Sequence, residues 1–388
     1  MKKGWTYKKL GEVCEVISGQ SPESQYYNKE GKGLPFYQGK KEFTEKYIGS
    51  PTTWTTEITK IAEKGDLLMS VRAPVGDVNF ATKQLCIGRG LAAIRIKSDV
   101  DKDYLFYYLL ANKNKIKGKE GVGFSSINRS EINEINLQYP SEKSEQKRIV
   151  SRLDSAFAHI DALKANAEKQ LSDAKALFQK ALKKAMEPKE GWEEKTLGEV
   201  SISMADGPFG SNLKKEHYTD EREVRIIQLS NIGEEGWREE NTKYTTFEHL
   251  ENIKRSEVKP NDIVIAKMMP AGRAILCPNH EKKFVLSSDA VKVSLNDDVD
   301  NVFILYSINS PYFRKQVYAN VSGSGRVRTS LTKLRDCILC LPSLSEQQKI
   351  VSRLDSLSEN VKKLQEVLDK TIKECDALKQ AMLRQVFE

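Results

Sequence analysis

Two short stretches of the chain offer soft metal ligands, Cys277-Pro-Asn-His280 and Cys337-Ile-Leu-Cys340. Cysteine and histidine at such spacing can hold zinc. The first half of the chain supplies a control, because the aligned positions there include Ala81, Ile135 and Gln138, so that half manages without a metal. Cys337 and Cys340 also lie in an apolar, strand-like run, and no metal ligand is assigned. The glycine pairs in GVGFSS (121–126) and GSGRVR (323–328) could cradle a phosphate. No Gly-Lys-Ser/Thr follows either of them, so they read as turns rather than nucleotide loops. The histidines, His159, His217, His249 and His280, have no acid–base motif around them, and no Ser/His/Asp triad is visible.

What remains is charge and hydrogen bonding. Lys and Arg total 62 against 54 Asp and Glu, a net charge of +8. The distribution says more than the total. Lys113, Lys115, Lys117 and Lys119 sit in NKNKIKGK, and Arg326, Arg328, Lys333 and Arg335 in SGSGRVRTSLTKLR, with no acid in either run. Acid-free clusters beside Gly/Ser turns suit a phosphate backbone. Arg matched to guanine, and Asn or Gln to adenine, can add base reading. The contact residues expected in the first half are Lys40, Lys41, Arg72 and Arg89, with the loop Ser125, Ser126, Asn128 and Arg129. In the second half they are Lys214, Lys215, Asn231, Lys267 and Arg273, with Ser324, Arg326 and Arg328.

The elements that must position these residues are written twice. SEQKRIVSRLDS (144–155) recurs as SEQQKIVSRLDS (345–356), differing only at Lys147/Gln348 and Arg148/Lys349. GWTYKKLGEV (4–13) matches GWEEKTLGEV (191–200), and GDLLMSVRAPVGD (65–77) aligns with NDIVIAKMMPAGR (261–273). GVGFSSINRSEINEINLQYP (121–140) aligns with GSGRVRTSLTKLRDCILCLP (323–342). The chain is two tandem repeats, the second carrying insertions. Each opens with short strand-like runs, LLMSV (67–71) and LAAIRI (91–96), then DIVIA (262–266) and AVKVSL (290–295). Helical stretches such as DYLFYYLLAN (103–112) lie between them. The boundaries expected are globular units at 1–143 and 188–344, with long helices at 144–187 and 345–388.

Those helices follow from spacing. Leu153, Phe157, Ile160, Leu171 and Phe178 in one, and Leu354, Leu357, Val361, Leu364, Leu368 and Leu378 in the other, mark apolar stripes at intervals of three and four. A capping box is expected at Ser345 and Gln348. A rod of ~43 residues is roughly 60 Å long. An amphipathic rod of that length cannot bury its stripe alone, so the two near-identical stripes are expected to pair as a coiled coil. The fold class is α+β: two similar mixed α/β domains joined by two long helices; spacing alone allows either helix orientation, and an antiparallel pair would give a pseudo-twofold arrangement.

Composition excludes several classes. No run approaches the ~18–20 apolar residues of a membrane span, and the basic start has no apolar run behind it, so it is no secretory signal. Six scattered cysteines in a chain of 388 residues read as reduced, cytoplasmic thiols.

The repeated GW…LGEV start, the variable α/β region ending in proline and the SEQ(K/Q)(R/K)IVSRLDS helix head closely resemble the specificity subunit of type I restriction-modification enzymes. The resemblance spans the whole chain. It implies two target-recognition domains, each reading one half of a bipartite site in double-stranded DNA. It implies that the paired helices fix the gap and bind two methyltransferase subunits, with restriction subunits joining the full complex. It also implies no catalysis and no cofactor in this chain; S-adenosylmethionine, ATP and Mg belong to partner subunits. The globular regions SGQSPESQYYNKEG (18–31) and ADGPFGSNLKKEHYTDE (205–221) differ, so the site should be asymmetric. Two rivals stand beside this reading. A coiled-coil protein–protein adaptor would not bind DNA. An enzyme in its own right would find its best support in Asn309-Ser-Pro-Tyr312, part of an adenine methyltransferase motif; that stretch lacks the motif's second proline and reads as a helix start.

Overall fold

A computed structural model describes residues 4–116, 126–319 and 327–387. Ser125, Ser324 and Arg326 lie outside the described residues. The chain divides into two compact units: residues 1–168 with 369–388, and residues 169–368. Each long helix is therefore shared between the units.

In unit 1 the main strands are β1 (Cys14–Ser18), β2 (Leu34–Tyr37), β3 (Leu67–Ser70), β4 (Val78–Phe80), β5 (Leu85–Ile87) and β6 (Leu91–Ile96). One antiparallel sheet runs β1-β6-β3-β4, and a second sheet places β2 parallel to β5. Strand β3 is buried throughout, which explains why Leu67, Leu68 and Met69 run without polar alternation. Leu67 and Met69 point into one core, with Val16, Ile94, Tyr104 and Leu109, while Leu68 points into another with Tyr37, Leu85 and Ile87. A strand buried on both faces needs no polar alternation.

Unit 2 repeats the plan with β7 (Ser201–Asp206), β8 (Val224–Ile227), β9 (Ile263–Ala266), β10 (Ala274–Leu276), β11 (Lys283–Leu286) and β12 (Ala290–Leu295). Its antiparallel sheet runs β7-β12-β9-β10, and β8 lies parallel to β11. Ile263 and Ile265 face one core, Val264 and Ala266 the other.

The long helices are α1 (Lys143–Ala185) and α2 (Leu344–Phe387). The expected cap at Ser345 is corrected: α2 already begins at Leu344, and the hydroxyl one residue earlier, on Ser343, accepts from Glu346 N–H at 3.4 Å. The repeated segment does something else. Gln146 and Gln347 are buried. Gln146 accepts from Asp101 N–H at 2.7 Å and donates to Pro140 O at 2.9 Å. Gln347 accepts from Asp300 N–H at 2.9 Å and donates to Pro342 O at 2.9 Å. Asp101 and Asp300 in turn cap the helices Lys102–Ala111 and Asn301–Asn309. Further along the segment, Tyr107 donates to Asp154 and Tyr306 to Asp355. One twelve-residue phrase thus clamps the head of a long helix to its own α/β unit, twice.

Within unit 1 the two helices run antiparallel: Lys379 pairs with Asp161, and Lys164 with Asp376 at 2.7 Å. Leu383 and Phe387 join Leu153 in the unit's core. Within unit 2, Leu182 and Met186 share a core with Val351 and Leu354. Leu153, Ile160, Leu354 and Leu368 are buried, and Phe157, Leu171, Phe178, Leu357 and Val361 half-buried. Leu364 and Leu378 correct the expected stripe, being 40% and 51% exposed. The seam instead carries half-buried Ser358, Gln365 and Lys379, each one position away from a leucine of the expected stripe.

Candidate nucleic-acid interface

The β6–β3 ladder pairs Leu91 with Ser70 and is prolonged by Val71 N–H donating to Gly90 O at 3.0 Å. Beyond that point both strands leave the sheet at the same end. One continues as Arg72-Ala73-Pro74, all exposed, and the other arrives through a turn closed by Leu91 N–H to Gly88 O at 3.0 Å, with Arg89 exposed inside it. On the far side of Arg72, Ser126 forms an antiparallel bridge to it and Ile127 N–H donates to Val71 O. Three segments therefore end together, presenting Ser126, Arg72 and Arg89.

The turn is packed so closely that glycine is required beside it. A Cβ on Gly19 would lie 2.2 Å from Gly88 O. Unit 2 has the same approach at Gly207, where a Cβ would lie 1.8 Å from Ser287 O. Next to the turn, Gln20, Ser21, Gln38, Lys41, Thr53 and Arg89 line an open polar cleft of ≈ 1070 Å³. Ser21 Oγ donates to Gln38 Oε1 at 2.8 Å and accepts from Arg89 N–H at 3.2 Å.

Unit 2 builds the same corner from other residues. Ala266 pairs with Ala290, Lys267 N–H donates to Asp289 O, Thr329 N–H to Lys267 O, and Met268 bridges Arg328. The three segments present Arg328, Met268 and Ser288. Its cleft, ≈ 340 Å³, is lined by Gln228, Ser230, Asn241, Ser287, Ser288 and Asp289.

The remaining expected contacts divide. Lys41 is exposed in the unit 1 cleft, and Lys214 and Lys215 are exposed on unit 2. Arg328 is exposed but tied to Asp289 at 2.9 Å. Lys40 is held with Lys113 on Asp77. Partial burial pushes the Asp77 carboxyl up, but the two lysines outweigh it and hold it below the usual carboxylate range. Several others are engaged within the fold or lie apart from the corner. Asn128 caps the helix Arg129–Asn133 and accepts from Glu131 N–H. Arg129 lies exposed on that helix, where it adds to the stronger pull of Lys97 and Arg95 that holds the Glu15 carboxyl below the usual range. Asn231 is fully buried, its amide donating to Arg238 O and Glu240 O while its carbonyl accepts from Gln228 N–H. Lys267 is buried against Asp206 at 2.7 Å. Arg273, where unit 1 has Asp77, is buried and donates to Leu229 O at 3.0 Å.

Sequence reasoning missed Gln38 and Gln228, although both follow the same kind of apolar strand, in FYQ and IIQ. It also missed Phe209 (83% exposed) in GPFGSN, and Met269 (54% exposed), whose backbone is left-handed at φ 54°.

The cysteine pairs do not converge. Burial pushes the Cys277 thiol up to about 12 and the Cys337 thiol up to about 11. His280 contacts Glu239 at 2.7 Å. Among the described residues no three His, Cys, Asp or Glu side chains form a metal-holding group.

The family described as type I restriction modification DNA specificity domain matches residues 2–172 and 189–374, one match for each repeat. The chain belongs to this family. A Methanocaldococcus jannaschii chain provisionally assigned as the MjaX type I restriction enzyme specificity subunit is 42% identical over 44% of this chain. That alignment spans only 40% of the relative's length. The MjaVIII type I specificity subunit of the same organism is 23% identical over 95% of this chain and 90% of its own. Among solved structures, a chain from work on assembly and conformational transition of a type I R-M system superposes with TM-score 0.79 at 17% identity, covering 100% of this chain and 98% of that one. The HsdS subunit from Thermoanaerobacter tengcongensis superposes with TM-score 0.56 at 17% identity, covering 100% and 97%. At that identity these likenesses speak for the fold. Among the described residues, no helix of this family member is long and apolar enough to cross a membrane.

Proposed function

We propose that this chain is the DNA-reading subunit of a type I restriction-modification enzyme, each unit taking one half of an asymmetric bipartite site. The observation that carries the reading is a shared scaffold with unlike ends. The sheets, the glycine approaches and the glutamine clamps match between units, while Ser126, Arg72 and Arg89 are replaced by Arg328, Met268 and Ser288. Side chains that vary on an invariant frame are what two different half-sites require. Lysines and arginines around the corner supply phosphate contact and salt-sensitive affinity, and base-edge contacts supply sequence. The helices shared by the units fix the gap between half-sites and offer a surface to two methyltransferase subunits, with restriction subunits in the complete enzyme. Catalysis, S-adenosylmethionine, ATP and Mg reside in those partners, in the cytoplasm.

The test is binding of duplex DNA by the chain assembled with its methyltransferase subunits over a salt series. Log affinity should fall linearly with log salt, and sequencing of the methylated products should return a two-part site. Binding without a salt slope would favour an adaptor, and methylation by the chain alone would favour an enzyme.

A further inference from the structure

We propose that Arg72 and Arg89 read guanine in the half-site taken by unit 1, and that Met268 and Ser288 withhold that reading from the half-site taken by unit 2. The inference rests on the DNA reading above and extends it to a base and two side chains.

The positions are equivalent in backbone terms. In unit 1 the ladder passes Leu91↔Ser70, then Val71 to Gly90, and releases Arg72 beside the turn that holds Arg89. In unit 2 it passes Ala290↔Ala266, then Lys267 to Asp289, and releases Met268 beside the turn that holds Ser288. The third segment follows suit, Ser126 bridging Arg72 and Arg328 bridging Met268. The strand framing matches while the side chains differ: Arg72 and Arg89 are exposed, Met268 and Ser288 half-buried, and the guanidinium of unit 2, on Arg328, is engaged by Asp289 at 2.9 Å.

That chemistry is specific. A guanidinium carries a planar fork of N–H donors, and guanine presents two acceptors, O6 and N7, on its major-groove edge. Methionine has no donor, and its methylenes suit the thymine methyl or no base in particular. Serine, able to donate and accept, discriminates weakly.

Placement separates these arginines from the neighbouring lysines Lys40 and Lys113. Lys40 and Lys113 are engaged by Asp77, whereas neither Arg72 nor Arg89 forms an ion pair among the described residues. The Arg89 backbone is also pinned on several sides. Gly88 N–H donates to Tyr37 O, Gly90 N–H to Gln38 O, and Arg89 N–H to Ser21 Oγ. A side chain that only neutralises phosphate gains little from such fixing, whereas one that must match two acceptors in one plane depends on it.

The experiment uses the full chain assembled with its methyltransferase subunits and a randomised library of double-stranded DNA, with selected sequences read out for wild type, Arg72→Met and Arg89→Ser. Wild type should return two half-sites. Each variant should lose guanine preference at one position of a single half-site, by roughly 5- to 150-fold, leaving the other half-site intact. Unchanged base preferences with a uniform fall in affinity would make both arginines phosphate contacts, overturning this inference while leaving the DNA reading in place. Failure of wild type to select any sequence would remove the DNA reading, and this inference with it.

Discussion

Unit 1 and unit 2 are alike where they grip the long helices and unlike where their sheets end. Gln146 and Gln347 hold the same pair of backbone groups, and Asp154 and Asp355 accept from equivalent tyrosines. At the open end the correspondence of backbone persists, yet unit 2 has Met268 in the position of Arg72, Ser288 in that of Arg89 and Arg273 in that of Asp77. The contrast teaches that repetition in this chain follows the grip on the helices: residues that lock a unit onto its helices are repeated, and those at the open end of its sheets are not.

The largest test of that comparison is on its conserved side. Leu153 and Leu354, from the same position of the repeated segment, are 2% and 4% exposed in their respective cores. Leu153→Ala and Leu354→Ala should each cost about 2–5 kcal/mol. The loss should fall in the altered unit, read by hydrogen exchange resolved along the chain. A loss in only one of the two would break the equivalence.

The glutamine clamp comes next. Gln146→Ala strands Asp101 N–H and Pro140 O, and Gln347→Ala strands Asp300 N–H and Pro342 O. Each should cost about 1–3 kcal/mol, because buried backbone groups lose their partners. Chemical denaturation of the two variants should give similar values. A cost near zero would mean the repeated glutamine is not a clamp.

A smaller effect sharpens the divergent side. The lysines hold the folded Asp77 carboxyl below the ordinary range, against the upward push of its partial burial. A group depressed on folding stabilises above its unfolded value, near about pH 4, and that stability disappears as pH falls through the lower folded value. Unit 2 has Arg273 in this place and gains nothing there. Asp77→Asn should therefore flatten the acid limb of unit 1 unfolding and leave unit 2 unchanged, checked by hydrogen exchange between about pH 5 and pH 2.5.

How much of this was legible depended on how local the signal is. The tandem repeat and both long helices can be read from the letters, because identity and three/four spacing are properties of neighbouring residues. The seam was partly misread for the same reason. Following leucines leads to Leu364 and Leu378, whereas the helix turns Gln365 and Lys379 inward. The corner residues were mixed because charge does not announce direction. Arg72 and Arg273 look alike as letters, and only the fold sends one outward and buries the other beside Leu229 O. The loops after Gly19 and Gly207 differ in length and composition, so nothing in the sequence aligned them. Their shared approach to a carbonyl in the turn that enters the neighbouring strand becomes visible only in three dimensions.

The smallest expected effect concerns one more divergent pair. Lys41 is exposed in the unit 1 cleft, while its counterpart by strand alignment, Asn231, is fully buried in three hydrogen bonds. Lys41→Ala should lower DNA affinity by a similar factor for every sequence and reduce the salt slope by about 1, as loss of one phosphate contact does. Its half-site should stay as it was, since an ammonium on a flexible stem is a point charge rather than a planar fork. Asn231→Ala should do the reverse, costing about 1–3 kcal/mol of unit 2 stability through unpaired backbone groups, with the salt slope unchanged. Titrations of both variants at several salt concentrations, beside their unfolding curves, separate the outcomes. If Lys41→Ala altered base preference, reading would extend from the sheet end into the cleft, and the line between gripping and reading residues in unit 1 would have to be redrawn around Gln38 and Thr53.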